Sequence, residues 1–352
     1  MRSSILIRVK ACGAILFLPI LLFAQGLKLN TFAVELETDD KKPFRIPFER
    51  IIVIDKRFDT SKIGYVRTTL EYKKLVLNNG FSTSLEDYLN KRFEPVHNNR
   101  NLVVFIKSLY LQAVPLEELT KEADFEKTLK TSQCVLKADI YSCSNNIYQA
   151  LVRIDTLFND SKTLKKISDE LLSLTIDNIV QQVQSLNIED LLSRKSKIKE
   201  ENVFSYYDQR FTNARIKNDS VQKGIYLSFA DFINNRLALL DFTVVQEKKA
   251  DYLYLKENGK EKLFTDFWGF CDGKDHFIRV GYNFFKLVKD GNTYSFWGCL
   301  QAIHTTKRYT APVVQTPGRF NATLPKGTTY VEKKFENVLR PMQLDMDTGE
   351  PY

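Results

Sequence analysis

The chain has 352 residues, 43% of them hydrophobic and 27% charged, with a formal net charge of +8 at pH 7. That length accommodates two domains with a core each, and that balance excludes a disordered or low-complexity chain. The positive excess is modest and interleaved with acids, so a solvated surface is expected rather than a nucleic-acid interface.

Residues 1–25 read as a secretory signal peptide. Arg2, Arg8 and Lys10 form the positive n-region, Ala11 to Ala24 the apolar h-region, and Ala24-Gln25-Gly26 a small-residue cleavage site. A membrane anchor needs about 18 or more apolar residues; this run is shorter and carries Pro19. Cys12 precedes the apolar run and is badly placed for lipidation. No later stretch resembles a membrane span, so the expectation is a periplasmic or secreted protein with no transmembrane segment after signal removal. Loss of the three leader charges lowers the formal +8 to +5.

Residues 26–190 read as an α+β domain. Leu27 to Pro47 is a lead-in holding a short strand or extended arm. Ile51-Ile52-Val53-Ile54 is a β-branched run suited to a buried strand, and Lys62 to Val66 reads as the next. Thr83 and Glu86 have capping-box spacing at the start of a helix that ends before Pro95. Strands follow at Leu102–Leu111, Cys134–Cys143 and Ile147–Leu157, the last two joined by a turn at Asn145-Asn146. A long helix then opens at Ser168 and carries Leu171, Leu174, Ile179, Val183 and Leu186 at helical spacing. The order β-β-α-β-β-β-α puts helices against one sheet.

Residues 191–220 are expected to be a linker. The charge run Arg194–Asn202 fits either that role or the exposed end of the long helix, and the sequence that follows lacks either period. Residues 221–304 read as an antiparallel β domain: Gly224–Phe229 and Phe242–Val245 are strands, and Asp251–Leu300 is a meander. Asn258-Gly259, Asp272-Gly273 and Asp290-Gly291 supply its hairpin turns, and Gly281-Tyr282-Asn283 marks a bulge or a further tight turn. Residues 305–352 form a tail containing Pro312, Pro317, Pro325 and Pro341, with a short helix expected around Val331–Leu339 and a strand-then-turn ending at Gln343–Glu350.

Chemical motifs are sparse. His97, His276 and His304 are the three histidines, and none has metal-ligand spacing. There is no nucleophile elbow, P-loop or dinucleotide fingerprint, and no cofactor is expected. Asp345-x-Asp347-x-Gly349-Glu350 reads as a turn rather than a calcium loop. Of the four cysteines beyond the leader, Cys134 and Cys143 cannot pair along one strand, and Cys271–Cys299 requires the meander to curl; free buried thiols are expected for at least one pair.

Two stretches resemble known families. GIYLSFADFINNR (224–236), DFWGFCDGKDHFIRV (266–280), NFFKL (283–287), GNTYSFW (291–297) and QLDMDTGEPY (343–352) are together similar to uncharacterised secreted proteins of Bacteroidota. The likeness covers roughly residues 220–352 and implies an envelope location in a Gram-negative bacterium. VIDKRFDTSKIGYV (53–66), through Asp55, Arg57, Ile63 and Gly64, resembles the start of auxiliary envelope lipoproteins, although this chain lacks the lipobox cysteine.

The meander's aromatics carry the functional expectation. Alternation sets Phe264, Asp266, Trp268 and Phe270 on one face, Phe267 and Cys271 on the other, and Tyr294/Phe296 opposite Ser295/Trp297. Core packing explains such residues, and so does a binding face built on Trp268, Phe270, Tyr294 and Trp297. Large aromatics on both faces imply that both faces are covered. The expectation is an exported, non-enzymatic binding or accessory module whose partner is an envelope protein, a peptide or a glycan. The alternative is a hydrolase acting on envelope glycans or peptides.

Overall fold

The computed structural model describes residues 29–36, 43–69, 71–114, 131–213, 221–247, 250–309 and 329–352, the side chains at 114, 257, 299–309 and 329–338 excepted. Residues 1–25, read from the sequence as a signal peptide, the prolines at 312, 317 and 325, and the segment 214–220 lie outside these residues.

The fold is α+β, and its first part is built around one strand. A five-stranded sheet has the order β10-β9-β8-β7-β3, made by β3 (Arg50–Asp55), β7 (Asn101–Val114), β8 (Thr131–Ser144), β9 (Ile147–Asp160) and β10 (Ile198–Lys199). Only the β3–β7 pair is parallel. The interior strand β7 is apolar on both faces, which explains its unbroken Leu102-Val103-Val104-Phe105-Ile106 run. Leu102, Val104 and Ile106 enter the main core beneath α1 (Phe81–Lys91) and α2 (Leu164–Gln184), whereas Val103 and Phe105 face the opposite side.

Both helices begin differently from the sequence expectation. Gly80 caps α1 and Thr163 caps α2, neither with a side-chain bond. Glu86 instead accepts from the Val53 amide at 3.2 Å and pairs with Arg50, while Asn90 bonds both backbone groups of Ile51 at 2.9 and 2.8 Å. β3 is an edge strand, and these side chains cover its free backbone. Ser168 is buried one turn inside α2. Between the helices, Asp177 accepts from Tyr88 and from two nitrogens of Arg92, all three residues being buried.

A small sheet of order β1-β5-β4, from β1 (Thr31–Val34), β5 (Tyr72–Leu77) and β4 (Tyr65–Arg67), flanks this core, and the two-residue strands β2 (Phe44–Arg45) and β6 (Phe93–Glu94) pair beside it. Gly64 joins the small sheet to β7 by a bridge to Leu111. Its φ is +142°, and a Cβ would lie 2.0 Å from the Leu111 carbonyl oxygen, so no other residue fits.

The stretch expected to be a linker is largely folded. It carries α3 (Ile188–Arg194), β10 and α4 (Glu200–Asn213). Tyr207 of α4 is fully buried, stacks on Phe105 with centroids 4.4 Å apart, and donates to Asp139 at 2.9 Å. The composition is deceptive because α4 contributes only Val203 and Tyr207 as buried residues, too few to register as a helical stripe.

The expected antiparallel meander is present but divided among three sheets. β11 (Gly224–Tyr226), β15 (Gly269–Cys271), β16 (His276–Val280) and β17 (Asn283–Lys286) form the middle one. β12 (Phe242–Gln246), β13 (Asp251–Glu257) and β14 (Lys260–Phe264) form the second, and β18 (Val288–Asp290), β19 (Thr293–Tyr309) and β20 (Thr329–Gln343) the third. The short helix α5 (Phe229–Ile233), held by a Ser228/Asp231 capping box, packs against the middle sheet. Asn145-Asn146 and Asn258-Gly259 have the paired positive φ angles of tight hairpins, and Gly281 makes the extra turn. The helix expected around Val331–Leu339 is instead part of β20, which pairs with β19 along its whole length.

Both faces of the middle sheet are covered. Ile225, Phe270 and Phe284 face the β12–β14 sheet, while Tyr226, Cys271 and Ile278 face Tyr294, Phe296, Met342, Leu344 and Met346. The 264–271 alternation fails because residues 265–268 are not strand, so Trp268 and Phe270 lie on opposite sides. Cys134, Cys143 and Cys271 are free and buried.

If α4 is an integral part of the first domain, Tyr207→Ala should destabilise the protein by ~3–5 kcal/mol, the range for deleting a large core side chain. Tyr207→Phe should lose only the hydrogen bond to a charged acceptor, ~1.5–3 kcal/mol. Denaturant unfolding of both variants checks this, and equal, negligible changes would mean that α4 is not docked.

Candidate functional site

The residues that the fold brings together with unspent chemistry lie along the seam between the two parts. One wall comes from the β3–β4 loop, β4, β5 and the far half of β7; the other comes from β18, β20 and the turn that follows it. A bulge starts the construction. Ile106 pairs with Ala138 but Ser108 pairs with Lys137, leaving Lys107 as the extra residue. Its ammonium reaches Asp139 at 2.9 Å, alongside Arg153 at 2.8 Å. Burial would raise the Asp139 pKa, but Lys107, Arg153 and Tyr207 outweigh burial and hold it below its usual value.

Beyond the bulge, β7 enters the seam. Tyr110 stacks on Tyr352 with centroids 3.9 Å apart. Arg57 is locked by Asp55 through two bonds of 2.9 Å and donates to the Lys62 carbonyl at 2.7 Å. Lys62 is buried and pairs with Asp59 and, across the seam, with Asp290 at 3.2 Å. Arg210 of α4 makes a two-pronged pair with Asp347 at 2.8 and 2.5 Å and also donates to the carbonyls of Lys56 and Lys107. Lys137 pairs with Asp345 at 3.3 Å. Phe58 carries the apolar share, entering the core of Tyr226, Phe296 and Met346 beneath the Arg210 guanidinium.

The turn Asp345–Glu350 behaves as the sequence suggests. Asp345 accepts from the Asp347 amide at 2.9 Å and its carbonyl from Gly349 at 2.7 Å, while both carboxylates are taken by cations. Among the described residues no group of three or more His, Cys, Asp or Glu is arranged to hold a metal ion.

Two openings lie on this seam. The first, about 400 Å³ counting solvent at its mouth, is lined by Arg57, Asp59, Lys62, Lys107, Arg210 and Asp345. The second, about 450 Å³ on the same basis, is lined by Tyr65, Arg67, Tyr72, Gln112, Arg340 and Tyr352. Gly64 and Tyr352 border both, so they are adjoining parts of one groove.

The four aromatics expected to bind are not brought together. Phe270 is 2% exposed and sits in the core against the β12–β14 sheet; Tyr294 is 8% exposed and packs on Phe232. Trp268 is half-buried on Phe232 and Phe229, at 4.7 and 5.4 Å. Trp297 alone reaches the seam, edge-on to Tyr72 at 5.9 Å. The seam's own groups escaped sequence reading because Lys62, Arg210 and Arg340 are far apart in sequence and belong to no motif. Of the Asp55/Arg57/Ile63/Gly64 stretch, Arg57 and Gly64 line the groove, Asp55 holds Arg57, and Ile63 is buried in the main core.

Cys134, Cys143, Cys271 and His276 are poor nucleophiles or bases. Burial pushes the Cys134 thiol up to about 12 and raises Cys143 and Cys271 as well. Burial lowers the His276 pKa, and its Nδ1 lies 3.1 Å from the Tyr226 hydroxyl.

The Asp59–Lys62 pair sets a pH window. Burial alone would raise Asp59, but the Lys62 charge and the Lys62 and Ser61 hydrogen bonds bring it below 3.8. Burial alone would lower Lys62, but Tyr65, Asp59 and Asp290 bring it above 10.5. The Asp59 contribution is therefore lost as pH falls through its depressed value, and the Lys62 contribution as pH rises through its elevated one. Lys62→Met leaves a buried carboxylate unpaired and should cost ~3–5 kcal/mol at neutral pH. The gap from the parent should shrink as pH falls, because without Lys62 burial raises the Asp59 pKa and the variant's carboxyl takes up its proton before the parent's does. Urea titrations at neutral and acid pH measure both quantities, and a gap independent of pH would contradict the assignment.

Among the described residues no helix is long and apolar enough to cross a membrane. Compared with known families and curated proteins, the sequence matches no family model and no curated protein.

Proposed function

We propose that this chain is an exported envelope protein that binds a partner through its interdomain groove and does not turn that partner over. Export rests on the n-region, h-region and cleavage pattern of residues 1–25. The resemblance of roughly residues 220–352 to secreted Bacteroidota proteins supports the periplasm or the exterior, and an envelope protein, a peptide or a glycan as the partner.

The observation that carries the non-enzymatic reading is the state of the groove's carboxylates. Asp55 is held by Arg57, Asp59 by Lys62, Asp345 by Lys137 and Asp347 by Arg210. Glycoside hydrolysis needs one carboxyl kept protonated and another free to attack or to activate water. Carboxylates tied to cations serve neither role well and instead fix the groove's walls. Buried thiols with raised pKa values and a hydrogen-bonded, desolvated histidine supply no alternative nucleophile and base.

Protein recovered from the native envelope should have an intact mass beginning near Ala24–Gly26; retention of Met1 or Arg2 overturns export. Incubated with purified peptidoglycan and with a mixed peptide library, it should co-sediment with or retain a component while releasing no reducing ends or new amines. Sustained release that Asp59→Asn or Asp345→Asn abolishes would establish the hydrolase in its place.

A further inference from the structure

The second part of the groove contains a charge that no carboxylate among the described residues neutralises. Arg340, near the end of β20, is 7% exposed. Its Nη1 donates to the Ala113 carbonyl at 2.5 Å, but its Nε has no hydrogen-bond partner, and among the described residues no carboxylate forms an ion pair with it. Burial pushes its pKa down to about 10, the direction expected of a cation without a counter-ion. A buried charge with no counter-ion beside it is among the more costly features a fold can keep.

The surroundings match the chemistry of a missing anion. The Tyr72 hydroxyl is buried, lines the same cavity and has no hydrogen-bond partner. Burial raises the Tyr72 pKa, while Arg67 and Arg340 oppose that rise, so both guanidiniums act on this phenol. The hydroxyl is therefore a protonated donor at neutral pH. Arg67 lines the exposed side of the cavity and adds positive charge at its mouth. The rest of the lining includes Leu111, Ala113, Pro341 and the tyrosine rings, a wall suited to an apolar body. Trp297, whose register partner is Pro341, braces the Tyr72 ring.

We infer that the cavity between Arg340 and Tyr72 is a binding site for a small organic carboxylate, or for a carboxylate-bearing end of a larger ligand. One carboxylate oxygen accepts from the orphan Nε of Arg340 and the other from the Tyr72 hydroxyl, while the ligand's apolar part lies on the aliphatic and aromatic wall. A planar carboxylate suits one guanidinium edge plus one hydroxyl; a phosphate, with more acceptor oxygens and a larger negative charge, would leave acceptors unmet against this wall. The site deepens the binding reading above, yet it fails separately from it. Substrate turnover would overturn that reading and leave anion affinity intact, whereas absent anion affinity would leave export and lack of turnover untouched.

The test uses purified protein with sodium acetate, sodium benzoate, inorganic phosphate and sodium chloride at matched ionic strength, followed by thermal melts and isothermal titration. Benzoate, and acetate more weakly, should raise the melting temperature in a dose-dependent way beyond chloride, as ligands of the native state do. Arg340→Met should weaken benzoate binding by at least roughly tenfold, and Tyr72→Phe, which keeps the ring against Trp297, by about fivefold. Tyr72→Phe carries the test if Arg340→Met does not fold. No stabilisation beyond chloride, or unchanged affinity in the variants that fold, overturns the site. Phosphate binding as tightly as benzoate overturns the carboxylate assignment.

Discussion

The structure depends on β7 being buried on both faces. From Leu102 to Ile106 every side chain is shut away from water, alternate ones under α1 and α2 and under α4. Such a strand cannot be closed by one layer of helices, so the chain must supply cover on the second side. α4 provides it, with Tyr207 on Phe105 and its hydroxyl on Asp139. The same helix then projects Arg210 to the seam, where it clasps the C-terminal turn through Asp347. Covering a strand and joining the two parts of the molecule are thus tasks of one fourteen-residue helix.

The bulge at Lys107 divides β7 into two roles. Before it, the strand is core; after it, Leu109 and Leu111 still enter the main core, while Ser108 to Ala113 line the groove and receive Gly64, Tyr352 and Arg340. The seam itself is a mixed contact. Phe58 carries the apolar share, and charged pairs spanning the two parts fix its geometry. Pairs of this kind add little net stability when exposed but define orientation when held at both ends by hydrogen bonds. Arg340 departs from the pattern, since the buried seam cations Arg57 and Lys62 have carboxylate partners.

Much of the fold was legible in the sequence. The β-branched run at Ile51–Ile54, the three long strands, the long helix and the hairpin turns at Asn145-Asn146 and Asn258-Gly259 occur where periodicity and turn chemistry put them. Aromatics on both faces of the meander foretold a doubly covered sheet, and the middle sheet lies between two cores. What escaped had weak local signals. α4 buries too little to show a stripe, β20 was misread as helix, and Glu86 spends its carboxylate on an edge strand instead of its own helix terminus. The expected aromatic site was only in small part legible: Phe270 and Tyr294 are packing residues, and Trp297 alone stands at the groove.

The sequence by itself determined the α+β class, the turns and the residues that must be buried, because these follow from local backbone preference and from short-range apolar periodicity. It could not determine which charges would meet. Arg210 with Asp347, Lys62 with Asp290, and Arg340 without a carboxylate among the described residues are outcomes of how the two parts dock, over separations of more than a hundred residues. Whether a buried cation is neutralised depends on what lies within a few ångströms of it, and only the tertiary structure decides that distance.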